Sequence, residues 1–144
     1  MNKSNIYFHY NKVKENIKEP RKIKKLIEYI FEKEEKKFSY TSIVFCTDIY
    51  LKEINIKFLK HQTYTDVITF QYNEINKPIE GEIFISSERI RENAKEFKET
   101  IFNERLRIII HGILHLCSYQ DKTAKSKENM TKREDFYLQK YNKL

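Results

Sequence analysis

His111, His115 and Asp121 are the residues of this chain whose types and spacing suit metal chemistry. At about 100° per residue, a helix through them gathers Leu106, Ile109, Ile110, Ile113 and Cys117 on one face and turns His111 and His115 together onto nearly the opposite one. Two imidazoles at i and i+4 can converge on a single ion, and a polar turn at Ser118 lets Asp121 fold back with a carboxylate oxygen. Such a set leaves a fourth tetrahedral position open, as in a catalytic rather than a structural site. The competing reading is two unrelated histidines meeting a second layer of packing. Asp121 at a plausible return distance, and the lack of any other cluster rich in His or Cys, favour the metal. Gly112 stands where a zinc-protease helix carries its general-base Glu, which argues against peptide hydrolysis. A glycine inside a helix also costs about 1 kcal/mol against Ala, so it needs a reason, such as close approach of another backbone or room for a substrate.

Other segments must position this helix. Ile6 to Tyr10 suits a strand, and Ile23, Leu26, Ile27, Ile30 and Phe31 recur as one buried helical face. Ile43-Val44-Phe45-Cys46 reads as a strand buried on both sides, and Asp48 as the cap of a short helix bearing Leu51, Ile54 and Phe58. Val67 to Tyr72 alternates as a strand with two different faces, Asn73 to Glu80 reads as a loop, and Gly81 leads into a strand over Glu82-Ile83-Phe84-Ile85. Ser86 or Ser87 then caps a helix with Ile90, Ala94 and Phe97. Asn103 is expected to begin the most apolar helix, running to about Cys117, and Met130, Glu134, Tyr137, Leu138 and Tyr141 trace a last one. The expected fold is α+β: a single mixed sheet of about four strands packed with helices, with the metal site on a central buried helix and residues 1–144 forming one domain.

The chain has 144 residues, a net charge of +7 and 40% hydrophobic residues, enough for one core and unlike a disordered segment. Two cysteines far apart in apolar runs, Cys46 and Cys117, read as small buried hydrophobes in a reducing compartment. With no apolar run approaching a membrane span and no signal-peptide core after Met1, the expectation is a cytoplasmic protein without membrane attachment. Basicity favours an anionic partner, although a composition heavy in Lys, Asn, Ile, Tyr and Phe accounts for part of it.

His111-Gly112-Ile113-Leu114-His115-Leu116-Cys117-Ser118-Tyr119, with Asp121 six residues after the second His, resembles the signature of the YbeY family of metal-dependent endoribonucleases and rRNA maturation factors. Ile54-Asn55, Thr65-Asp66-Val67-Ile68-Thr69-Phe70 and Gly81-Glu82-Ile83 come in the order of that family's other blocks, and Met130 with Glu134 is similar to its C-terminal helix. The likeness covers roughly Leu51 to Leu138 and departs at three points. Asp121 replaces the family's third His, giving a harder, more anionic site; Ser118 replaces a turn Gly; and Leu59 stands where the family has an Arg that contacts RNA phosphate. Lys60 beside it supplies a point charge without the bidentate fork of Arg.

The resemblance implies one Zn2+ per chain held by His111, His115 and Asp121, which act in catalysis through the water the ion activates. It implies cleavage of single-stranded RNA, a role in 3′-end maturation of small-subunit (16S) rRNA and in ribosome quality control, and as partners rRNA, the small ribosomal subunit, a ribosomal protein and an assembly GTPase. Lys60, Thr65, Asp66 and Lys122 are candidates for RNA contact or for orienting a ligand, against their bland readings as turn caps and solvated charges. Lys122 to Lys127 is the better placed of the two basic runs because it comes directly after Asp121; Arg21 to Lys25, His9 and His61 read as solvated or locally satisfied. No general base stands out. The alternatives are a ribosome-assembly binding factor with a structural metal and little or no nuclease activity, or a hydrolase of another ester.

Overall fold

In the computed structural model, which describes residues 5–59 and 65–144, the β-branched and aromatic runs pair into one sheet. Its strands are β1 (Ile6–Tyr10), β2 (Phe38–Cys46), β3 (Val67–Gln71) and β4 (Ile79–Ser86), in the order β1-β2-β4-β3. β1 and β4 both lie parallel to β2, and β3 closes the sheet antiparallel to β4. Five helices complete the α+β fold: α1 (Pro20–Lys33), α2 (Asp48–Leu59), α3 (Ser87–Glu96), α4 (Ile101–Leu116) and α5 (Ala124–Asn142).

Alternation along the strands divides the interior in two. Ile43 and Phe45 of β2 and Ile83 and Ile85 of β4 face a large core with Leu26, Ile27 and Ile30 of α1, Ile109, Ile110 and Ile113 of α4, and Tyr137 and Tyr141 of α5. Cys46 and Ile68 face the other way, onto a small cluster with Leu51 and Ile54 of α2. Each wholly buried Leu or Ile contributes about 1.5–3 kcal/mol, so the larger face dominates stability and α4 is fixed at its centre. Glu15, ahead of α1, adds a buried tie to α4 through Arg105 at 2.6 Å.

Several boundaries differ from the sequence expectation. β4 begins at Ile79 because Ile79 N–H donates to Lys37 O and joins the ladder with β2, so the expected loop is two residues shorter. For the same reason β2 reaches back to Phe38. α4 begins at Ile101, two residues before Asn103, under Thr100, whose hydroxyl accepts from the Asn103 amide, and Thr47 Oγ1 takes the Tyr50 amide, so Asp48 is the first helical residue of α2 and is bound to Arg89. Ser86 caps α3 as expected, by accepting from Arg89 N. Phe97 lies just past α3 at 61% exposure instead of on its buried face, and Phe58 is exposed as well. α5 starts with Ala124 under a capping box between Thr123 and Ser126, which places most of the Lys122–Lys127 run in its first turn.

The two glycines of the chain sit where α4 crosses β4. A Cβ on Gly112 would lie 2.8 Å from Ile83 Cγ2, and one on Gly81 would lie 2.5 Å from Leu116 Cδ1. Close seating of the helix on the sheet, not space for a substrate, is the reason for Gly112. Gly112→Ala gains about 1 kcal/mol of helix propensity but forces the crossing apart, a cost of about 1–3 kcal/mol, so its expected outcome is a lower thermal midpoint despite the better helix former.

Candidate metal centre and cleft

α4 holds His111 and His115 one turn apart, each half-buried, with their rings edge to face at 4.5 Å between centroids. Past the helix the chain reverses through Ser118, whose φ of 79° is left-handed, while Ser118 N–H donates to His115 O and Tyr119 N–H to Leu114 O. That is a glycine-type helix end built on a serine, so the position does need positive φ. The reversal brings Asp121 Oδ2 to 3.3 Å from His111 Nε2 and 3.4 Å from His115 Nε2, and the two Nε2 atoms lie 3.0 Å apart. Among the described residues this is the group of three whose atoms could hold a metal ion.

The far side of each ring is fixed by a group that only accepts. Glu134 Oε2 lies 2.6 Å from His111 Nδ1, and Tyr119 O lies 2.9 Å from His115 Nδ1, so each Nδ1 carries a proton and both Nε2 atoms face Asp121. At 3.0 Å the two Nε2 atoms need a positive centre between them, a shared proton or a metal ion. Ligands around a tetrahedral ion of zinc's size are separated by about 3.3–3.5 Å, close to the three spacings found here. The donor set therefore fits a metal with one coordination position open. Burial alone lowers the His111 pKa, but the hydrogen bond and charge of Glu134, with Asp121 and Asp66, outweigh it and raise it above the ordinary range.

Glu134, which sequence reasoning left outside the site, is buried and completes the chain Arg107–Glu134–His111: Arg107 donates to Glu134 Oε1 at 2.9 Å and to Asp135 Oδ1 at 2.7 Å. Its spacing from Met130, Tyr137 and Tyr141 marked only a helical face, and no local signal tied it to a histidine 23 residues earlier. Behind Tyr119 lies a second cluster: Tyr119 and Tyr137 hydroxyls and Arg133 all donate to Glu34 of the loop after α1, and Arg133 Nε donates to the Tyr119 hydroxyl. This fixes the same residue whose carbonyl orients His115. Burial pushes the Glu34 carboxyl up, yet those three donors overcome it and hold its pKa below the usual value.

His111, Asp121 and Glu134 open on a cleft of about 410 Å³ that Asp66, Glu104, Arg107, Lys127 and Met130 also line. Asp66 thus reaches the cleft, but its carboxylate accepts from Asn93 Nδ2 at 3.4 Å rather than from a ligand histidine; the orienting acceptors are Glu134 and Tyr119. Glu104, two turns before His111 and unanticipated, shares Asn93 with Asp66, and burial raises its carboxyl pKa. Of the basic run after Asp121, Lys127 lines the cleft and the exposed Lys122 does not. Thr65 Oγ1 donates locally to Val67 O and is not among the cleft-lining residues, while Lys60 and His61 lie outside the described residues. Leu59 is the exposed last residue of α2. Both cysteines are buried and free, and burial pushes each thiol up to about 12, as suits two packing residues.

A sequence profile described as Endoribonuclease YbeY matches residues 7–142. The chain belongs to the YbeY endoribonuclease family. It is 38% identical over 138 residues to the Endoribonuclease YbeY of Amoebophilus asiaticus, covering 96% of this chain and 94% of that protein, and 38% identical to that of Cytophaga hutchinsonii, covering 96% of each. The Parabacteroides distasonis protein of the same name is 48% identical over 69% of this chain and 70% of its own. The solution structure of TM1509 from Thermotoga maritima superposes with a TM-score of 0.64 at 28% identity, over 94% of this chain and 88% of that one. Within the YbeY family likeness, Asp121 takes the position expected for a third His, and the geometry accommodates it: the carboxylate oxygen sits equally far from both imidazoles.

These contacts predict two outcomes. Glu134→Gln keeps the shape but removes the anionic acceptor behind His111, and metal affinity, measured by competition with a chromophoric chelator, should fall about 10–100-fold. Because the Glu34 pKa is depressed in the folded chain, its stabilising effect is present above the unfolded carboxyl pKa and is lost as pH falls through the folded value. The stability gap between the wild type and Glu34→Gln, tracked by urea titration, should therefore be widest near neutrality and shrink as the pH drops below the usual glutamate range.

Proposed function

We propose that this protein is a zinc-dependent endoribonuclease that cuts single-stranded RNA in the cytoplasm, acting in 3′-end maturation of small-subunit (16S) rRNA and in ribosome quality control. The observation that supports it most is the convergence of His111, His115 and Asp121 on one point beside an open cleft, with each imidazole already locked in the ligand tautomer. Imidazole and carboxylate donors with one open position suit zinc. When bound there, such an ion supplies Lewis-acid polarisation of a phosphoryl oxygen and activation of water at neutral pH.

The chain's own residues set up that chemistry. Glu134 and the Tyr119 carbonyl hold a proton on each Nδ1 and aim both Nε2 atoms together, which removes the reorientation a free histidine would need. Arg107 neutralises Glu134 and Asp135 at the cleft wall, and Lys127 adds a cation that no ion pair among the described residues occupies. Glu104 stands on the same cleft wall, where burial raises its carboxyl pKa. The expected partners are rRNA, the small ribosomal subunit, a ribosomal protein and an assembly GTPase. Among the described residues no helix is long and apolar enough to cross a membrane.

Elemental analysis of untagged protein should find about one zinc per chain. His115→Ala should lose both the zinc and the cleavage of a single-stranded rRNA 3′ precursor while still binding RNA. Wild-type protein that is folded, free of metal and bound to pre-ribosomes would instead leave a ribosome-assembly binding factor as the function.

A further inference from the structure

The metal centre stands on a ridge between two clefts, and this deepens the endoribonuclease reading on which it rests. His111 and Asp121 face the first cleft; His115, Leu116 and Ser118 line a second, of about 580 Å³, between the turn after α1 and the β3–β4 hairpin. A strand whose phosphodiester lies at the three ligand atoms has one of these clefts on either side of it. The clefts differ sharply in charge. The first carries the carboxylates of Asp66, Glu104, Asp121 and Glu134, and of its two cations Arg107 is already bound to Glu134 and Asp135. The second carries Lys36, Lys37 and Lys77, all exposed and none held in an ion pair among the described residues, against Glu35 and Glu74.

Polar groups without charge complete the second wall. Gln71 Oε1 is tied to Glu80 N at 2.9 Å and Asn73 N, which fixes its side chain at the groove, and Gln120 borders it from the loop that delivers Asp121. We infer that the second cleft is the binding groove for the RNA backbone flanking the scissile bond, with Lys36, Lys37 and Lys77 as its phosphate contacts. Two of these lysines come from the α1–β2 turn and the third from the facing hairpin, so a strand passing His115 meets cations on both sides. Phosphate neutralisation by lysine positions a strand without reading its bases, which matches a cutter whose site is chosen elsewhere.

The test is fluorescence anisotropy of a labelled 2′-O-methyl RNA single strand of about 12 nucleotides, titrated at several KCl concentrations. It compares the zinc-loaded full chain, a Lys36→Gln/Lys37→Gln/Lys77→Gln variant, and a Lys22→Gln/Lys25→Gln/Lys140→Gln control whose residues line neither cleft. Each lost phosphate contact lowers the slope of log K against log salt by about 0.7 for a single strand, so the groove variant should lose about 2 from the slope and bind at least about tenfold more weakly, with zinc content and thermal midpoint unchanged. The control should keep the wild-type slope. If the triple variant does not fold, Lys36→Gln and Lys77→Gln alone should each remove about 0.7. An unchanged slope, an equal loss in the control, or no binding by the wild type overturns the groove. Cleavage of the unmodified strand is read in parallel: a wild type that binds through these lysines but never cuts defeats the nuclease reading alone, whereas one that cuts with an unaltered slope in the variant defeats the groove alone.

Discussion

The close seating of α4 on β4 is the constraint on which the rest of the molecule depends. Gly112 and Gly81 remove two side chains at the crossing, Ile83 and Leu116 fill the space, and the helix is drawn down until its Ile109, Ile110 and Ile113 face is wholly buried. Only then does the opposite face stand at the height where His111 meets Glu134 of α5 and His115 meets the carbonyl of Tyr119. A crossing wider by a fraction of an ångström would shift His111 against Glu134 of α5, now at 2.6 Å, and close-packed interiors transmit such shifts rather than absorb them. Packing and ligand geometry are in this sense one problem.

The second requirement is that a short loop carry two jobs. Between Leu116 and Ala124 the chain must turn back, supply the carbonyl that fixes His115 and return Asp121 to both imidazoles. The left-handed Ser118 starts the turn at a conformational cost of about 1–2 kcal/mol for an L residue, and the Glu34–Tyr119–Arg133–Tyr137 cluster anchors the next residue of the loop. Glu34 gains three donors in a partly buried place, so its charge is strongly favoured there and the loop is held by charge-assisted bonds rather than by apolar packing alone. The anchors come from α5 and the end of α1, which makes the metal centre a meeting point of the whole large core. Buried thiols at Cys46 and Cys117 take no part, and their place in apolar surroundings keeps them as thiols.

Charge is divided unevenly between the two clefts. Acidic groups gather on the side where His111 and Asp121 lie. Exposed lysines, held by no ion pair among the described residues, gather on the other side, between the turn after α1 and the β3–β4 hairpin. The excess of +7 across the chain says only that an anion is welcome; the fold decides where.

Much of this was legible in the sequence. The periodicity of Leu106 to Cys117 against His111 and His115, the alternation of Val67 to Tyr72 and the run at Ile43 to Cys46 reflect how a helix or strand must bury its apolar side, and they determined the α+β class, the four strands and the pair of histidines on one face. Asp121 was visible because a six-residue return after His115 is a local matter. What the sequence could not decide were contacts between segments distant along the chain: Glu134 behind His111, Glu34 behind Tyr119, the pairing of Ile79 with the end of β2, the fit of Gly112 over Ile83, and which lysines face the site. Spacing encodes the faces of single elements, since their periods are set by the backbone. Which faces meet is set by packing of the assembled core, and only the tertiary structure carries that.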